Sequence, residues 1–216
     1  MRIDELASGT ARTVHIDTSE LQPGVADVTR CSCGPDYSPR ESIRAAIEKL
    51  IPTVLADVDP RFVYAVFKVA AREGEGIELT DSRIVELKLD PEEPLPAALA
   101  AVLCTVGAVD ERLEGMIESH GPLDAWIAQG IAMAQLERLE QRAMRHVLDL
   151  AQAAGLRATT YMEPDVATRS QQDLFDSVDA AALGVRLTEY GTMEPRLSYS
   201  FWLPLYPGTP DSQPGA

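Results

Sequence analysis

Two spacings of apolar residues alternate along this chain. Residues 62–69 and 99–106 are near-continuous apolar runs rich in Val, Leu, Ala and Phe. Such runs predict strands buried on both faces. Elsewhere the apolar positions recur every three or four residues. Ile43, Ala46, Ile47 and Leu50 share one helical face, and Ser38-Pro39-Arg40-Glu41 ahead of them reads as a capping box with proline at the first helical position. The spacing therefore predicts a helix from Ser38 to about residue 57, kinked at Pro52. The longest helical pattern covers residues 123–154, with Ile127, Ile131, Ala134, Leu136, Leu139, Ala143, Val147 and Leu150 as its apolar stripe. Gly130 is the interior residue that would interrupt it.

Shorter elements fill the rest. Residues 77–80, 157–161, 184–188 and 198–206 read as strands, with 184–188 and 198–206 in one antiparallel sheet and the turn at 191–195 outside it. Residues 109–119 and 170–178 read as helices, and Asp81 as the cap of a short helix through residue 87. Residues 90–96 hold three prolines and three carboxylates and read as an exposed loop. Residues 1–37 are punctuated by Gly9, Pro23, Gly24, Gly34 and Pro35 and read as an irregular arm with a short strand at 14–16. A single domain over 38–206 follows, with residues 207–216 as a disordered tail. Helices and strands segregate irregularly, which favours an α+β fold over a doubly wound sheet.

Charge narrows the partners. The 216 residues carry a formal net charge of -15, so a nucleic-acid backbone or an anionic membrane surface is not expected as a partner. No run approaches the ~20 apolar residues of a membrane span, and the first residues are charged rather than apolar, so a cytoplasmic location is expected. Three cysteines fit a reducing compartment. Cys31 and Cys33 are the weak candidates for a shared metal, short of the four ligands a closed zinc site needs. Cys104 sits in an apolar run and reads as a small buried hydrophobe. His120 falls at a helix end, where a cation complements the dipole. Glu189 and Glu194, with Tyr190 and Tyr199 nearby, form either an acid–base pair or a charged surface turn. No Ser-His-Asp order, P-loop or dinucleotide fingerprint is present.

The one distinctive motif lies near the end. Residues 187–200 read Leu-Thr-Glu-x-x-x-Met-x-Pro-x-x-Ser-x-Ser, placing Thr188, Glu189, Met193, Ser198 and Ser200. Gln171-x-x-Leu174-Phe175 precedes it, Thr105-x-Gly107 ends the second apolar run, and an alanine-rich stretch from Ile131 leads to Glu137. This set resembles the activation domain of cobalamin-dependent methionine synthase, specifically over residues 171–200 and in outline over 39–205. The resemblance implies a curved antiparallel sheet packed with helices. It implies an S-adenosylmethionine site and a face that docks on a corrinoid-binding module, the partner supplying the cobalamin. In the family a loop of Arg then Pro-Gly-Tyr holds the amino-acid end of the ligand. Here Tyr161 stands at the arginine position, Glu163 and Pro164 follow, and Asp165-Val166 replace Gly-Tyr. Losing glycine and gaining an aspartate argues against the usual S-adenosylmethionine binding mode. Glu137 keeps a ligand role in this comparison, facing an ammonium or sulfonium, or else is a solvated helix-face residue. The expected function is therefore accessory: reactivation of, or docking to, the corrinoid module of a methyltransferase. The rival is a stand-alone enzyme or small-molecule-binding protein that reuses the fold without S-adenosylmethionine.

Overall fold

One eight-residue strand, buried at every position, organises the fold. The computed structural model describes residues 1–208 except 75, 91 and 166–168. In chain order these form α1 (Ile3–Leu6), β1 (Arg12–His15), α2 (Val25–Cys33), α3 (Glu41–Leu55), β2 (Arg61–Glu73), β3 (Gly76–Leu79), β4 (Ile84–Val85) and β5 (Ala98–Thr105). There follow α4 (Asp110–His120), α5 (Pro122–Ala153), β6 (Leu156–Arg157), α6 (Ser170–Ser177), β7 (Arg186–Leu187), β8 (Met193–Glu194) and β9 (Ser198–Pro207). The main sheet runs β4-β3-β2-β5-β9-β6, and β1 also pairs with β2. Every pairing is antiparallel, so the expected α+β architecture, a mostly antiparallel sheet packed with helices, is the one observed.

The two apolar runs are β2 and β5, and their continuity has a simple cause. Successive side chains point to opposite faces, and both faces are covered. Phe62, Tyr64 and Val66 pack with Val102, Cys104, Phe201 and Leu203 beneath the helices. Val63, Ala65, Phe67, Leu99, Leu103 and Trp202 pack on the other face with Ile77, Leu87, Leu174 and Leu183. A two-sided antiparallel sheet thus shows the pattern more familiar from parallel ones.

Helix α5 has 32 residues, or about 48 Å at 1.5 Å per residue. Gly130 does not interrupt it. An added Cβ there would lie 2.1 Å from Ser32 Oγ and 3.3 Å from Val28 Cγ1, so this glycine lets α2 approach closely.

Several boundaries differ from expectation. The N-terminal segment, read as an irregular arm, carries a strand paired with β2 and a nine-residue helix packed on α5. Helix α3 begins at Glu41 with Arg40 at the N-cap and no side-chain cap, so the Ser38 capping box does not form. Asp81 does not cap a helix. Its carboxylate accepts the Arg83 backbone N–H and guanidinium, closing a turn that leads into β4. Of the strand expected at 157–161, only Arg157 lies in β6, and Met162 bridges to Trp202 further on. The expected tail lies outside the described residues beyond 208, while Pro207 still belongs to β9.

The largest departure concerns residues 184–188, expected in one sheet with 198–206. Strand β7 pairs instead with β8 in a separate two-stranded sheet. The physical reason is local. Thr188 N–H donates to Thr192 O at 2.8 Å, and Thr188 Oγ1 accepts the N–H groups of Tyr190 and Thr192. Gly191 supplies the positive φ of 74°. A hairpin that satisfies its own backbone has no need of the main sheet.

Candidate functional site

The segment after β6 runs along the outer edge of β9. Met162 and Trp202 exchange two backbone hydrogen bonds, both 2.8 Å. Met162 packs on the Trp202 face, so the flanking residues Tyr161 and Glu163 turn toward the helix side. There the Tyr161 ring meets Phe201 edge-on at 5.6 Å, and Tyr199 lies 6.1 Å from Phe201. The Tyr199 hydroxyl donates to Glu163 Oε1 at 2.6 Å. Burial, then hydrogen bonding to Glu163 and Tyr161, pushes the Tyr199 phenol far above its ordinary range, so it stays a donor.

Helix α5 adds Glu140. Burial first, then repulsion from Glu137 and Glu163, raises its pKa. Cys104 is likewise raised by full burial and by Glu140. Among the described residues neither Glu140 nor Glu163 has a cationic side chain within ion-pair distance. The cluster is therefore two tyrosines, a phenylalanine floor and two carboxylates.

Glu137, one helical turn away, has a different environment. Arg30 of α2 grips it with two parallel bonds, Nη1–Oε1 at 2.7 Å and Nη2–Oε2 at 2.8 Å. The Cys31 thiol donates to Oε2 at 3.2 Å. The Arg30 bonds hold the Glu137 carboxyl below its usual range against the opposing effect of burial. The Cys31 thiol is pushed up to about 11, by burial first and then by Glu137, and stays protonated at neutral pH. Cys33 is exposed, and on α2 it points about 200° away from Cys31. No group of three His, Cys, Asp or Glu suited to a metal occurs among the described residues.

On the other side of the same edge, Glu86, Leu87, Lys88, Met162 and Asp165 are among the residues that line a cavity of about 160 Å³. Glu86 Oε2 accepts the Arg169 N–H at 2.8 Å, and Asp173 Oδ2 accepts the Glu86 N–H at 3.0 Å. These bonds latch Arg169 and the start of α6 to the end of β4. Pro164 is half-buried between the two exposed acids. Val166 lies outside the described residues.

The signature hairpin sorts its residues into two kinds. Ser198 and Ser200 are buried, and Ser198 Oγ donates to Thr105 Oγ1 at 3.0 Å. Thr105 Oγ1 also accepts the Gly107 N–H, so these hydroxyls tie β9 to the end of β5. Thr188 supports the turn as described, and Met193 is half-buried. Glu189 is exposed, and Tyr190 beside it is 82% exposed. A concavity of about 520 Å³ lies beneath this turn, lined by Thr188, Glu189, Tyr190 and Met193 among others.

The structure thus brings Tyr161 and Glu163 together with Tyr199 and Glu140, and takes Glu137 away from them electrostatically. Sequence reasoning missed Arg30 because no local pattern announces a partner 107 residues away. It missed Glu140 although a signal existed: a carboxylate three residues after Glu137 shares its helix face.

No family model matches the chain, and no curated protein matches it. Among solved structures, the crystal structure of the MetH reactivation domain bound to AdoHcy superposes with a TM-score of 0.68 at 14% identity, over 96% of this chain and 81% of that one. The chain therefore has the fold of that reactivation domain. No helix among the described residues is long and apolar enough to cross a membrane.

Proposed function

We propose that this protein is an accessory component of a cobalamin-dependent methyltransferase system, docking on a separate corrinoid-binding module that supplies the cobalamin. The observation that carries this reading is the signature hairpin. On a scaffold with the reactivation-domain fold, it offers Glu189 and an 82%-exposed Tyr190 above a concavity. A large aromatic at a turn tip, unneeded by any core, suits recognition. The chain works in the cytoplasm, where such partners and reduced cysteines belong.

The residues present do not fit S-adenosylmethionine in its usual mode. The ammonium-facing carboxylate of the motif, Glu137, is already neutralised by Arg30. The loop cavity of about 160 Å³ falls below the ~300 Å³ of ordinary ligand pockets. Reactivation by methyl transfer from that cofactor is therefore not part of the proposal, and docking is.

A second reading has its own support. The uncompensated Glu140–Glu163 pair beside Tyr161 and Tyr199 suits a small cation lacking a carboxylate, consistent with a binding protein that reuses the fold.

Two measurements test these readings. Glu189→Ala and Tyr190→Ala should leave the melting temperature within about 1 °C, as surface changes do, while each weakens capture of a purified corrinoid protein at least about tenfold, a loss of about 1.4 kcal/mol. Equal capture by both variants and the unaltered chain would remove the docking proposal. Calorimetric titration with S-adenosylmethionine should give no saturable heat. A dissociation constant near 1 μM, about -8 kcal/mol, would restore the ordinary cofactor.

A further inference from the structure

Twelve consecutive residues of α5, Ala125 to Leu136, carry no charge, in a chain where 25% of residues are charged. Part of that run faces solvent. Trp126 and Met133 are each 39% exposed, Gln129 between them is exposed and Leu136 is half-buried. The outer face of a surface helix ordinarily carries charged and polar residues. A large aromatic and a methionine there offer open apolar surface.

The spacing gives this surface a direction. Trp126, Gln129, Met133, Leu136 and Glu140 follow one another at intervals of three, four, three and four residues. That alternation keeps side chains on one lane of a helix and is the seam spacing of paired helices. From Trp126 to Glu140 the lane is about 21 Å long, close to four turns. Helix α2 borders it: Ser32 sits against Gly130 and Arg30 takes Glu137, the residues next after Gln129 and Leu136.

The lane ends on a negative charge. Among the described residues Glu140 has no cationic side chain within ion-pair distance. Burial and then the carboxylates of Glu137 and Glu163 raise its pKa, so an incoming cation would stabilise its ionised form. The whole chain carries a net charge of -15, which adds long-range attraction for a basic partner. An uncharged apolar lane that closes on an uncompensated carboxylate complements a helix with one apolar face and a basic residue beyond it.

We propose that this lane docks a basic amphipathic helix of a partner protein, with its apolar residues on Trp126, Met133 and Leu136 and a lysine or arginine on Glu140. The surface is separate from the signature hairpin, and it rests on the second reading above only for the uncompensated charge of Glu140. The probe is a synthetic Leu/Lys/Ala helix of about five turns, leucines on one face and lysines on the other, titrated into the full chain at physiological ionic strength. Trp126 fluorescence should shift to the blue at saturation; the other tryptophan, Trp202, is 0% exposed and contributes no shift. The Met133 methyl resonance should shift as well, a readout that does not depend on any variant folding. The same peptide shuffled out of helical period, and the same helix with glutamate for lysine, should each bind at least about tenfold more weakly. Met133→Glu should weaken binding about tenfold by placing a charge against the apolar face, although attraction by net charge alone would strengthen it. Glu140→Gln should weaken binding at least about threefold without lowering the melting temperature at pH 7. Absence of saturable binding, equal affinity for the shuffled peptide, or unchanged affinity in either variant would overturn the proposal. So would a dimer of the chain that Met133→Glu dissociates, which would assign the lane to a second copy. n-Butylamine titrated alone tests the small-cation reading. Saturable amine binding without peptide binding would overturn this proposal and leave that reading standing.

Discussion

Replacing Glu137 by glutamine separates two roles for this carboxylate. If it faces a ligand, the change should leave the free protein's stability untouched. If it is the anchor for α2, the change should destabilise the free protein and do so with a definite pH dependence. The geometry supports the second. The Arg30 pair is bidentate, with both bonds under 3 Å, yet Arg30 and Glu137 side chains remain 43% and 30% exposed. Exposed pairs contribute about 0.2–1 kcal/mol, and the two-bonded geometry with partial burial places this pair near the top of that range. A double-mutant cycle of Arg30→Gln and Glu137→Gln, by thermal or urea denaturation at pH 7, should give a coupling of about 1 kcal/mol. For a chain this size Glu137→Gln alone should lower Tm by about 2–4 °C. The pH dependence has a fixed sign. Glu137 is held below its ordinary range in the fold, chiefly by Arg30. Its contribution is therefore fully present above the unfolded value of about 4.3 and fades as pH falls through the folded one. Asp27 moves with it: burial pushes its carboxyl up, but hydrogen bonds from Arg138 and Gly24 outweigh that and hold it low. A coupling below about 0.2 kcal/mol at pH 7, or one undiminished at pH 3, would refute this account.

Glu140→Gln should act in the opposite direction. Burial and its neighbouring carboxylates raise the Glu140 pKa in the fold, so the native carboxylate is favoured protonated, and its stabilisation is present at low pH and lost as pH rises through the folded value. The glutamine variant should melt higher than the unaltered chain at pH 7 and equal it near pH 3, by scanning calorimetry; a lower Tm at pH 7 would contradict the unpaired assignment. Trp202→Ala removes the largest fully buried side chain, which lies against Met162 and α6. It should cost about 3–5 kcal/mol in urea denaturation, and a cost under about 1.5 kcal/mol would mean that this face of the sheet is not closely packed.

The sheet and the long helix were legible because their signals are large. Strands β2 and β5 and helix α5 each hold eight or more residues of consistent pattern. Short elements were legible only where a turn residue fixed them. The β7–β8 hairpin was misplaced because two-residue strands carry no period, and its pairing follows from a single hydroxyl, that of Thr188. Helix α2 was hidden for a related reason. Its nine residues lie between glycines, too short to be stable alone. It is held by Val28 packed against α5 at Gly130 and by Arg30 and Asp27 reaching Glu137 and Arg138, over 107 and 111 residues of sequence.

That same contact changes which residues of the site can meet a ligand. The motif comparison put the ligand-facing charge on Glu137 and an arginine at position 161. The chain instead supplies its own arginine, Arg30, to Glu137 from an element outside the motif, and a tyrosine at 161. A carboxylate already held by two charge-assisted bonds gains little from a second cation, since the Coulomb attraction is largely cancelled. Glu140 has no such partner, and it is raised rather than lowered in pKa. Its charge is the one that a cationic group entering beside Tyr161 and Tyr199 would stabilise. The chain thus has the reactivation-domain fold, and its uncompensated carboxylate on α5 is Glu140, one turn from the Glu137 that the motif names.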